Sequence, residues 1–150
     1  MVSVFHWIRV KAICHATEDG ELIKETVRLL TGIDGGMIDV EVSDGPFRTP
    51  LSVIDAELTH SKECETLFRN LGNEIIESLI PETERRIDDE DMFFLRLDKQ
   101  EAVQGRYAVA HGSDVISITA KIAAHPAKKE VAVKIMTDFL RSLAEQGSSR

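Results

Sequence analysis

The sequence predicts an α+β domain of two layers, in which helices cover one face of a mixed, mainly antiparallel sheet. Short segments rich in β-branched residues are separated by segments whose apolar residues recur every three or four positions. Two pairs of the strand-like segments are joined by turn signals, as in hairpins. These observations give the predicted order β-α-β-β-α-β-α-β-β-α. They leave the second face of the sheet to solvent or to a partner.

The first predicted elements are a strand and a helix. Val4 to His15 roughly alternates in polarity and is rich in β-branched and aromatic residues, which indicates a strand. Thr17 is the predicted N-cap of the following helix, because the acidic residues after it complement the helix dipole. Gly32 follows the last apolar residue at helical spacing and is the predicted end of this helix.

A hairpin and the most regular helix follow. Ile38 to Val42 and Leu51 to Leu58 are predicted strands, and Ser43 to Pro46 is the turn signal between them. Ser61 is the predicted N-cap of a helix with a clean three-four spacing of apolar residues. This helix is expected to end before Pro81, because proline disfavours helical conformation in the residue that precedes it.

The last part of the chain is predicted to hold three strands and two helices. Met92 to Asp98 is a strand with alternating apolar residues, and its last residue caps a short helix over Lys99 to Gln104. Arg106 to His111 and Val115 to His125 are predicted strands around a glycine-containing turn. The final helix is expected over residues 126–144, because proline suits the first helical position.

We expect a single domain over residues 1–146 and a frayed polar tail over residues 147–150, since 150 residues is a length typical of one domain. No apolar run approaches the ~20 residues that span a bilayer, and no signal peptide is recognised. A cytoplasmic location without membrane contact is therefore expected. Cys14 and Cys64 show no metal-ligand spacing, which predicts two buried free thiols.

The chain carries no recognisable catalytic or cofactor motif. Phosphate-binding loops, dinucleotide-binding fingerprints, nucleophile elbows and zinc-protease motifs are all absent. The five histidines are scattered and no two share a helical turn, so no metal site is predicted. We therefore predict a protein that is not an enzyme and holds no cofactor.

The charge is unevenly distributed along the chain. The formal net charge of −8 disfavours a nucleic-acid partner, for which a basic domain is usual. From Arg96 onward, however, nine basic and six acidic residues give a net charge of +3, so residues 1–95 carry −11. The total charge therefore does not exclude a local RNA site, provided that the acidic regions lie away from it.

Candidate phosphate contacts occur at two predicted helix starts. Lys128 and Lys129 lie in the first turn of the last helix, where cations oppose the helix dipole but help the free amides to hold a phosphate. Lys99 and Gln100 repeat this arrangement after the strand that ends at Asp98. The alternative is that both lysines of the last helix simply point into water.

Further candidates lie on predicted strands. Arg96 alternates with apolar neighbours, so it should face the open side of the sheet. Arg9 and Lys11 share a strand face with Trp7, and a cation beside an aromatic ring suits phosphates and bases. The alternative for this tryptophan is packing against a sheet edge, since aromatic side chains are mostly core residues.

Three stretches of the chain stand out together, namely His15 to Asp19, Phe94 to Gln100 and Ala124 to Glu130. In this order, within about residues 6–140, they resemble an archaeal family of predicted RNA-binding proteins, also described as a predicted exosome subunit. The resemblance implies a fold similar to the large-subunit ribosomal protein that binds 5S ribosomal RNA. It also implies RNA binding without known catalysis, and a role in RNA processing or ribosome function. Carried over to matching positions, it favours as contacts Arg96, Lys99, Gln100, Lys128 and Lys129.

The leading hypothesis is a non-catalytic RNA-binding domain. Its candidate RNA- or phosphate-binding residues are Arg9, Arg96, Lys99, Gln100, Lys128 and Lys129. The alternative is a protein-interaction or dimerisation module, either a homodimer or a partner of exosome or ribosome components, without direct RNA contact. A small phosphate-ester enzyme ranks last, because no nucleophile or base is identifiable. The acidic loop from Asp88 to Asp91 sets a condition, because it would repel RNA if it lay beside these lysines.

Overall fold

The computed structural model describes residues 3–44 and 50–148 of the chain. Its strands are β1 Phe5–His15, β2 Asp39–Asp44, β3 Pro50–Leu58, β4 Met92–Asp98 and β5 Val115–Ile122. Its helices are α1 Gly20–Thr31, α2 Ser61–Leu71, α3 Asn73–Leu79, α4 Lys99–Val103 and α5 Lys129–Ser148. Single 3₁₀ turns occupy Gly35–Met37, Ile80–Glu82 and Glu84–Arg86. The second half of the predicted turn at Ser43 to Pro46 lies outside the described residues.

The strands of the described residues form one sheet in the order β2-β3-β1-β5-β4, and each neighbouring pair is antiparallel. The predicted α+β class is confirmed, and the sheet is wholly antiparallel rather than mixed. The central strand β1 has 11 residues. Arg9 on this strand lies opposite Glu57 of β3 and Thr119 of β5, and this register determines which side chains share a face of the sheet.

The helices pack on the face of the sheet whose side chains are buried. Along β1, Ile8, Val10 and Ala12 are buried, while the residues between them are exposed. β4 and β5 alternate in the same way. In this core the rings of Phe5 and Phe68 stack with their centroids 5.6 Å apart. The predicted two-layer arrangement, with the second face of the sheet left open, is confirmed.

One predicted strand, from Arg106 to His111, does not form. Within it Val109 makes an isolated bridge to Leu97 of β4, and one backbone hydrogen bond flanks the bridge on each side. Gly105, with a φ of 86°, turns the chain out of α4, so the segment runs along the outer edge of β4 for a few residues only. The observed order is therefore β-α-β-β-α-α-β-α-β-α.

The regular helix predicted after Ser61 is divided in two at Gly72. This glycine has φ 92° and ψ 158°, a conformation that side chains strongly disfavour, so α2 ends before it and α3 begins after it. The N-cap residues also differ from the prediction, because His60 precedes α2 and Asp19 precedes α1. The Asp19 carboxylate, rather than the Thr17 hydroxyl, accepts two N–H groups in the first turn of α1.

The last helix begins and ends later than predicted. The N–H of Lys128 bonds to the carbonyl of Pro126 in a turn, and α5 starts only at Lys129. The prediction that Pro126 opens the helix is therefore wrong. At its other end α5 includes residues 147 and 148 of the predicted tail, and residues 149 and 150 lie outside the described residues.

Cys14 and Cys64 are both buried and unpaired, as predicted. Burial raises the pKa of the Cys64 thiol to about 11, so this thiol is protonated at neutral pH. Over the two described ranges of the chain, no helix combines the length and the apolar composition needed to cross a membrane.

Candidate nucleic-acid interface

The open face of the sheet consists of the strand side chains that point away from the helices. On β1 these are Trp7, Arg9, Lys11, Ile13 and His15. The register places Lys11 between Asp55 of β3 and Ser117 of β5, and Ser117 lies opposite Arg96 of β4. One row across the sheet therefore holds a cation from β1 and a cation from β4. The predicted open-face position of Arg96 is confirmed, and so is the prediction that Arg9 and Lys11 share a strand face with Trp7.

The open face is divided into two halves of opposite charge. The acidic half lies on β2 and β3 and consists of Asp39, Glu41, Asp55 and Glu57. The cationic half lies on β1, β5 and β4 and consists of Trp7, Arg9, Lys11, Lys121, Phe94 and Arg96. Within the cationic half, Phe94 is 44% exposed, a high value for a side chain that is usually buried.

Arg9 lies at the border between the two halves. Its Nε is 3.6 Å from Oδ1 of Asp55, and its Nη2 is 3.9 Å from Oε2 of Glu57. About half of the Arg9 side chain is exposed, so these ion pairs contribute about 1 kcal/mol or less. A phosphate can therefore displace them at small cost.

The other three cations of this half differ in how firmly they are held. Lys11 and Arg96 are exposed, and neither makes an ion pair with any residue that the structure describes. The Nζ of Lys121 donates a hydrogen bond to the carbonyl of Glu90, which ties it to the acidic loop before β4. Lys11 and Arg96 are thus the cations that a phosphate can reach most directly.

Lys99 points into the protein rather than to solvent. Only 1% of its side chain is exposed, and its Nζ donates to the carbonyl of Ile13 at 2.6 Å. The same nitrogen is 2.8 Å from Oε1 of Glu18 and 2.7 Å from Oδ1 of Asp114. These three oxygens use the three N–H groups of the ammonium. A phosphate would reach Lys99 only if these bonds opened.

Gln100 completes the same cluster, the Lys99 network, which consists of Lys99, Gln100, Glu18 and Asp114. The Nε2 of Gln100 donates to Oδ2 of Asp114 at 2.9 Å and to Oε2 of Glu18 at 3.3 Å. Both side chains are positioned by the start of α4, where the predicted N-cap Asp98 accepts a backbone N–H at 2.9 Å.

The network shifts the pKa of each charged member toward its charged form. The hydrogen bond from Lys99 lowers the pKa of Asp114, although partial burial opposes this shift. For Glu18, burial favours the neutral acid, but hydrogen bonds from Lys99 and from the His15 backbone outweigh it and lower the pKa. Burial also opposes the charge of Lys99, but its bonds to Asp114 and Glu18 raise the pKa of the ammonium.

His15, Glu18 and Asp114 place atoms of metal-ligand type within 4.8 Å of one another. The Lys99 ammonium lies between the two carboxylates, so the cation that neutralises this cluster belongs to the protein itself. The expectation that the scattered histidines form no metal site stays a prediction.

Lys128 and Lys129 lie at the start of α5, on a different part of the surface. Lys128 is exposed and directly precedes the helix. Lys129 lines a groove together with Glu84, Asp89 and Glu130. Asp89 of the acidic loop thus lies beside one of the predicted RNA-binding lysines, and its carboxylate, with those of Glu84 and Glu130, opposes a phosphate there.

The six predicted contacts lie in three places: on the open face, in the Lys99 network and at the start of α5. Of the six, Arg9 and Arg96 are the ones that the structure brings to the open face. Sequence reasoning missed Phe94 and Lys121 on the same face. Both alternate with buried strand residues, which is the signal that identified Arg96.

Comparison with known proteins adds a family and two relatives. The sequence model of a family described as RNA binding matches residues 7–122, from β1 to the end of β5. A protein of Pyrococcus abyssi named RNA-binding protein PAB1135 is 35% identical over 143 residues, which are 90% of this chain and 93% of that protein. The uncharacterized protein MJ0213 of Methanocaldococcus jannaschii is 30% identical over 119 residues, 73% of this chain and 78% of its own.

A solved structure has the same fold. Mth689, a DUF54 protein from Methanothermobacter thermautotrophicus, superimposes with a TM-score of 0.76 at 28% sequence identity. The superposition covers 92% of this chain and 99% of that one.

Proposed function

Because the chain belongs to the family described as RNA binding, we propose that it binds RNA through the cationic half of its open sheet face. The observation that carries this proposal is the division of the open face, in which the cations and two aromatic rings share one side. In this role the protein is a binder, and we assign it no reaction.

The spacing of the cations suits a chain of phosphates. Neighbouring strands are about 4.8 Å apart, so Lys11 on β1 and Arg96 on β4 are separated by about 10 Å across β5. Arg9 and Lys11 are alternate residues of β1 and lie about 7 Å apart along the strand. An RNA strand laid across β1, β5 and β4 therefore meets a cation on each of the two outer strands of this path.

The aromatic side chains favour unpaired bases. Trp7 is half-buried and Phe94 is exposed, and both belong to the cationic half. Stacking of a base on an aromatic ring contributes about 1–3 kcal/mol and depends little on base identity. A duplex keeps its bases stacked inside, so these rings support binding of single-stranded RNA or of loops rather than of a continuous helix.

The acidic half limits the site on one side. Asp55 and Glu57 lie on β3, next to the cations of β1, and Asp39 and Glu41 continue the negative charge to the sheet edge. Phosphates are repelled from these strands. The proposed path of the RNA therefore stays on β1, β5 and β4.

The remaining candidates have other proposed roles. We propose Lys99 and Gln100 as positioning residues, because they hold two carboxylates at the end of β1 rather than facing solvent. For Lys128 and Lys129 we propose a secondary phosphate contact of smaller effect, because carboxylates line the groove beside Lys129.

RNA titrations test the proposal. A labelled single-stranded RNA and a labelled hairpin are titrated with protein at about 50 and 200 mM salt, and binding is followed by fluorescence anisotropy. Lys11→Gln and Arg96→Gln are each expected to weaken binding several-fold, because each removes a phosphate contact. Lys62→Gln on α2 is the matched control, since it removes the same charge from an exposed position in the helix layer.

Two results would contradict the proposal. One is the absence of binding at the lower salt concentration. The other is a Lys11→Gln, Arg96→Gln double variant that binds RNA as tightly as the Lys62→Gln control. Loss of binding in a Lys128→Ala, Lys129→Ala variant, with the double variant unaffected, would place the site at α5 instead.

We also propose that the RNA is bound within an assembly for RNA processing or ribosome function. The support is the resemblance of three sequence motifs to a predicted exosome subunit, whose domain is similar to a ribosomal protein that binds 5S ribosomal RNA. Affinity capture from an archaeal extract, with and without ribonuclease, tests this proposal. Exosome or ribosome components are expected among the captured proteins, and their absence from both samples counts against it.

A protein-interaction module is the second candidate, and the free edge of the sheet favours it. Within the described ranges, no strand pairs with the outer edge of β2. Val40 and Val42 on this strand are 48% and 71% exposed, an apolar surface that a partner strand would cover. If the partner is a second copy of this chain, light scattering should give twice the monomer mass of 16.7 kDa. A monomer mass at every protein concentration would contradict the homodimer.

A further inference from the structure

We propose that a groove at one end of the open face binds a guanine base of single-stranded RNA. This inference rests on the proposed RNA-binding function and adds the identity of the base. The groove has a volume of about 290 Å³ and lies where β1 ends and β5 begins. Its lining includes Lys11, Ile13 and His15 from β1, and Asp114, Val115 and Ser117 from β5 and the loop before it.

The walls of the groove suit the flat face of a base. Ile13 is 44% exposed, although isoleucine is among the residues most often buried. Together with Val115 it supplies apolar surface inside the groove. The exposed imidazole of His15 offers a ring on which an unstacked base can lie. A base that enters the groove therefore covers apolar surface and gains a stacking partner.

Asp114 supplies a carboxylate in a fixed orientation. Its Oδ1 accepts a hydrogen bond from Lys99 at 2.7 Å and its Oδ2 accepts one from Gln100 at 2.9 Å. A carboxylate has about four acceptor sites, so both oxygens can accept a further N–H. The side chain is 46% exposed, which leaves these sites within reach of a ligand. The bond from Lys99 also lowers the pKa of Asp114, so the carboxylate is ionised at neutral pH.

Guanine is the base that matches a fixed carboxylate. Its Watson–Crick edge presents two adjacent donors, N1–H and the N2 amino group, which can bond to the two oxygens together. Adenine and cytosine each place an acceptor nitrogen beside their amino group, and uracil flanks its single N–H with two carbonyl oxygens. A carboxylate repels these acceptors, so the other three bases are disfavoured.

Charge also determines how a nucleotide would lie in the groove. A phosphate beside Asp114 would be repelled by the carboxylate, whereas Lys11 lines the same groove and attracts it. The base is therefore expected at Asp114 and its phosphate toward Lys11. In this arrangement Lys99 and Gln100 act as positioning residues for the group that reads the base.

RNA octamers with one variable position test the inference. The probes are a labelled all-uridine octamer and three octamers in which one central uridine is replaced by G, A or C. The protein is expected to bind the G octamer about tenfold more tightly than the other three. Asp114→Asn is expected to reduce this preference to less than about twofold, because the amide lacks one of the two acceptors. Asp138→Asn on α5 is the matched control, since it makes the same change at an exposed helix position.

The outcomes separate this inference from the function on which it rests. Equal binding of all four octamers overturns the base-reading inference and leaves RNA binding standing. Absence of binding by every octamer at low salt overturns both. A G preference that persists in Asp114→Asn, with the variant folded, overturns the assignment of the groove.

A measurement on the unmodified protein covers the case in which Asp114→Asn fails to fold. Guanosine monophosphate and adenosine monophosphate are titrated separately into ¹⁵N-labelled protein, and amide signals are followed by NMR. Guanosine monophosphate is expected to shift the signals of residues 113–117 more than adenosine monophosphate does. Equal shifts, or none in this segment, overturn the inference.

Discussion

Lys99 carries a positive charge into the protein interior and joins parts of the chain that are distant in sequence. Its ammonium contacts the end of β1 through Ile13, the loop before α1 through Glu18, and the loop before β5 through Asp114. Burial of a charge costs several kcal/mol unless polar partners replace the lost water, and here three oxygens do so. One side chain therefore supports the end of the open face at which the guanine groove lies.

Lys99→Met is expected to lower the free energy of unfolding by about 3 kcal/mol. Methionine keeps an apolar stem but leaves two carboxylates together without a cation. The side chains of Glu18 and Asp114 are 20% and 46% exposed, so water can solvate part of the negative charge that loses its partner. The expected loss of stability is therefore at the lower end of the range for a buried ion pair that loses one member. Urea unfolding followed by circular dichroism measures the change. Lys134→Met, which breaks an exposed ion pair, is the control and should cost less than about 0.5 kcal/mol.

The same network makes stability depend on pH. Against the opposing effect of burial, bonds from Lys99 hold the pKa values of Glu18 and Asp114 below their usual 4.5 and 3.8. Groups with a lowered folded-state pKa stabilise the fold above their usual pKa and lose this contribution as the pH falls. The bonds of Lys99 to Asp114 and Glu18 raise its pKa against the opposing effect of burial, so its contribution to stability is lost only as the pH rises above its usual pKa of 10.5.

The stability difference between the native protein and Lys99→Met should therefore be largest between about pH 5 and pH 10. It should shrink toward about pH 3, because protonated carboxylates no longer need a cation. Urea unfolding of both proteins at several pH values measures this difference. A difference that stays constant down to the acid end would contradict this account, because it would show that the charge of Lys99 does not carry the effect.

At the scale of single elements, Gly72 determines that one predicted helix becomes two. Apolar residues continue at helical spacing from α2 into α3, so the periodicity of the sequence cannot reveal the break. A glycine inside such a pattern is often tolerated, and only the conformation at φ 92° shows that it ends a helix. The break lets α2 contact β1 while α3 packs against α5.

Gly72→Ala is expected to destabilise the protein by about 2 kcal/mol, because a Cβ is strained at this backbone conformation. No atom within 4 Å would meet the added carbon, so the cost comes from the backbone and not from a clash. Gly112→Ala is the matched control, since its Cβ also meets no atom within 4 Å and its φ is not positive. Thermal unfolding should show a lower midpoint for Gly72→Ala alone, and equal midpoints for both variants would contradict this account.

The strand pattern and the burial of Lys99 show what the sequence can and cannot predict. Alternation along a strand fixes which side chains share a face, so Arg96 could be assigned to the open side of the sheet and Arg9 to the same strand face as Trp7. Lys99 carries no such signal, because its partner Glu18 lies 81 residues away in the chain. Two of the carboxylates beside Lys129, those of Glu84 and Asp89, are also remote from it in sequence, and only the tertiary fold brings them together.

At the scale of the whole molecule, the order of the strands in the sheet separates acidic from basic side chains that lie close together in the sequence. Residues 1–95 carry a net charge of −11, yet β1 in this part contributes Arg9 and Lys11 to the cationic half. β1 lies between the acidic strands β2 and β3 on one side and β5 and β4 on the other. Although the net charge is −8, the described strands therefore gather four cations on one half of the open face, where they attract a polyanion.

This arrangement predicts a moderate salt dependence of RNA binding. Each phosphate contact to a single strand contributes about −0.7 to the slope of log K against log salt concentration. Contacts from Arg9, Lys11, Lys121 and Arg96 therefore predict a slope of about −3, and added contacts from both lysines of α5 predict about −4.

Anisotropy titrations over a series of salt concentrations measure the slope. The Lys11→Gln, Arg96→Gln double variant should show a slope of about −1.4, because two of the four contacts are lost, while Lys62→Gln should match the native protein. A native slope steeper than about −6 would contradict the proposed site, because the cationic half does not hold enough positive side chains to produce it. Equal slopes in the double variant and the native protein would show that the phosphates lie on another surface, however tightly the RNA binds.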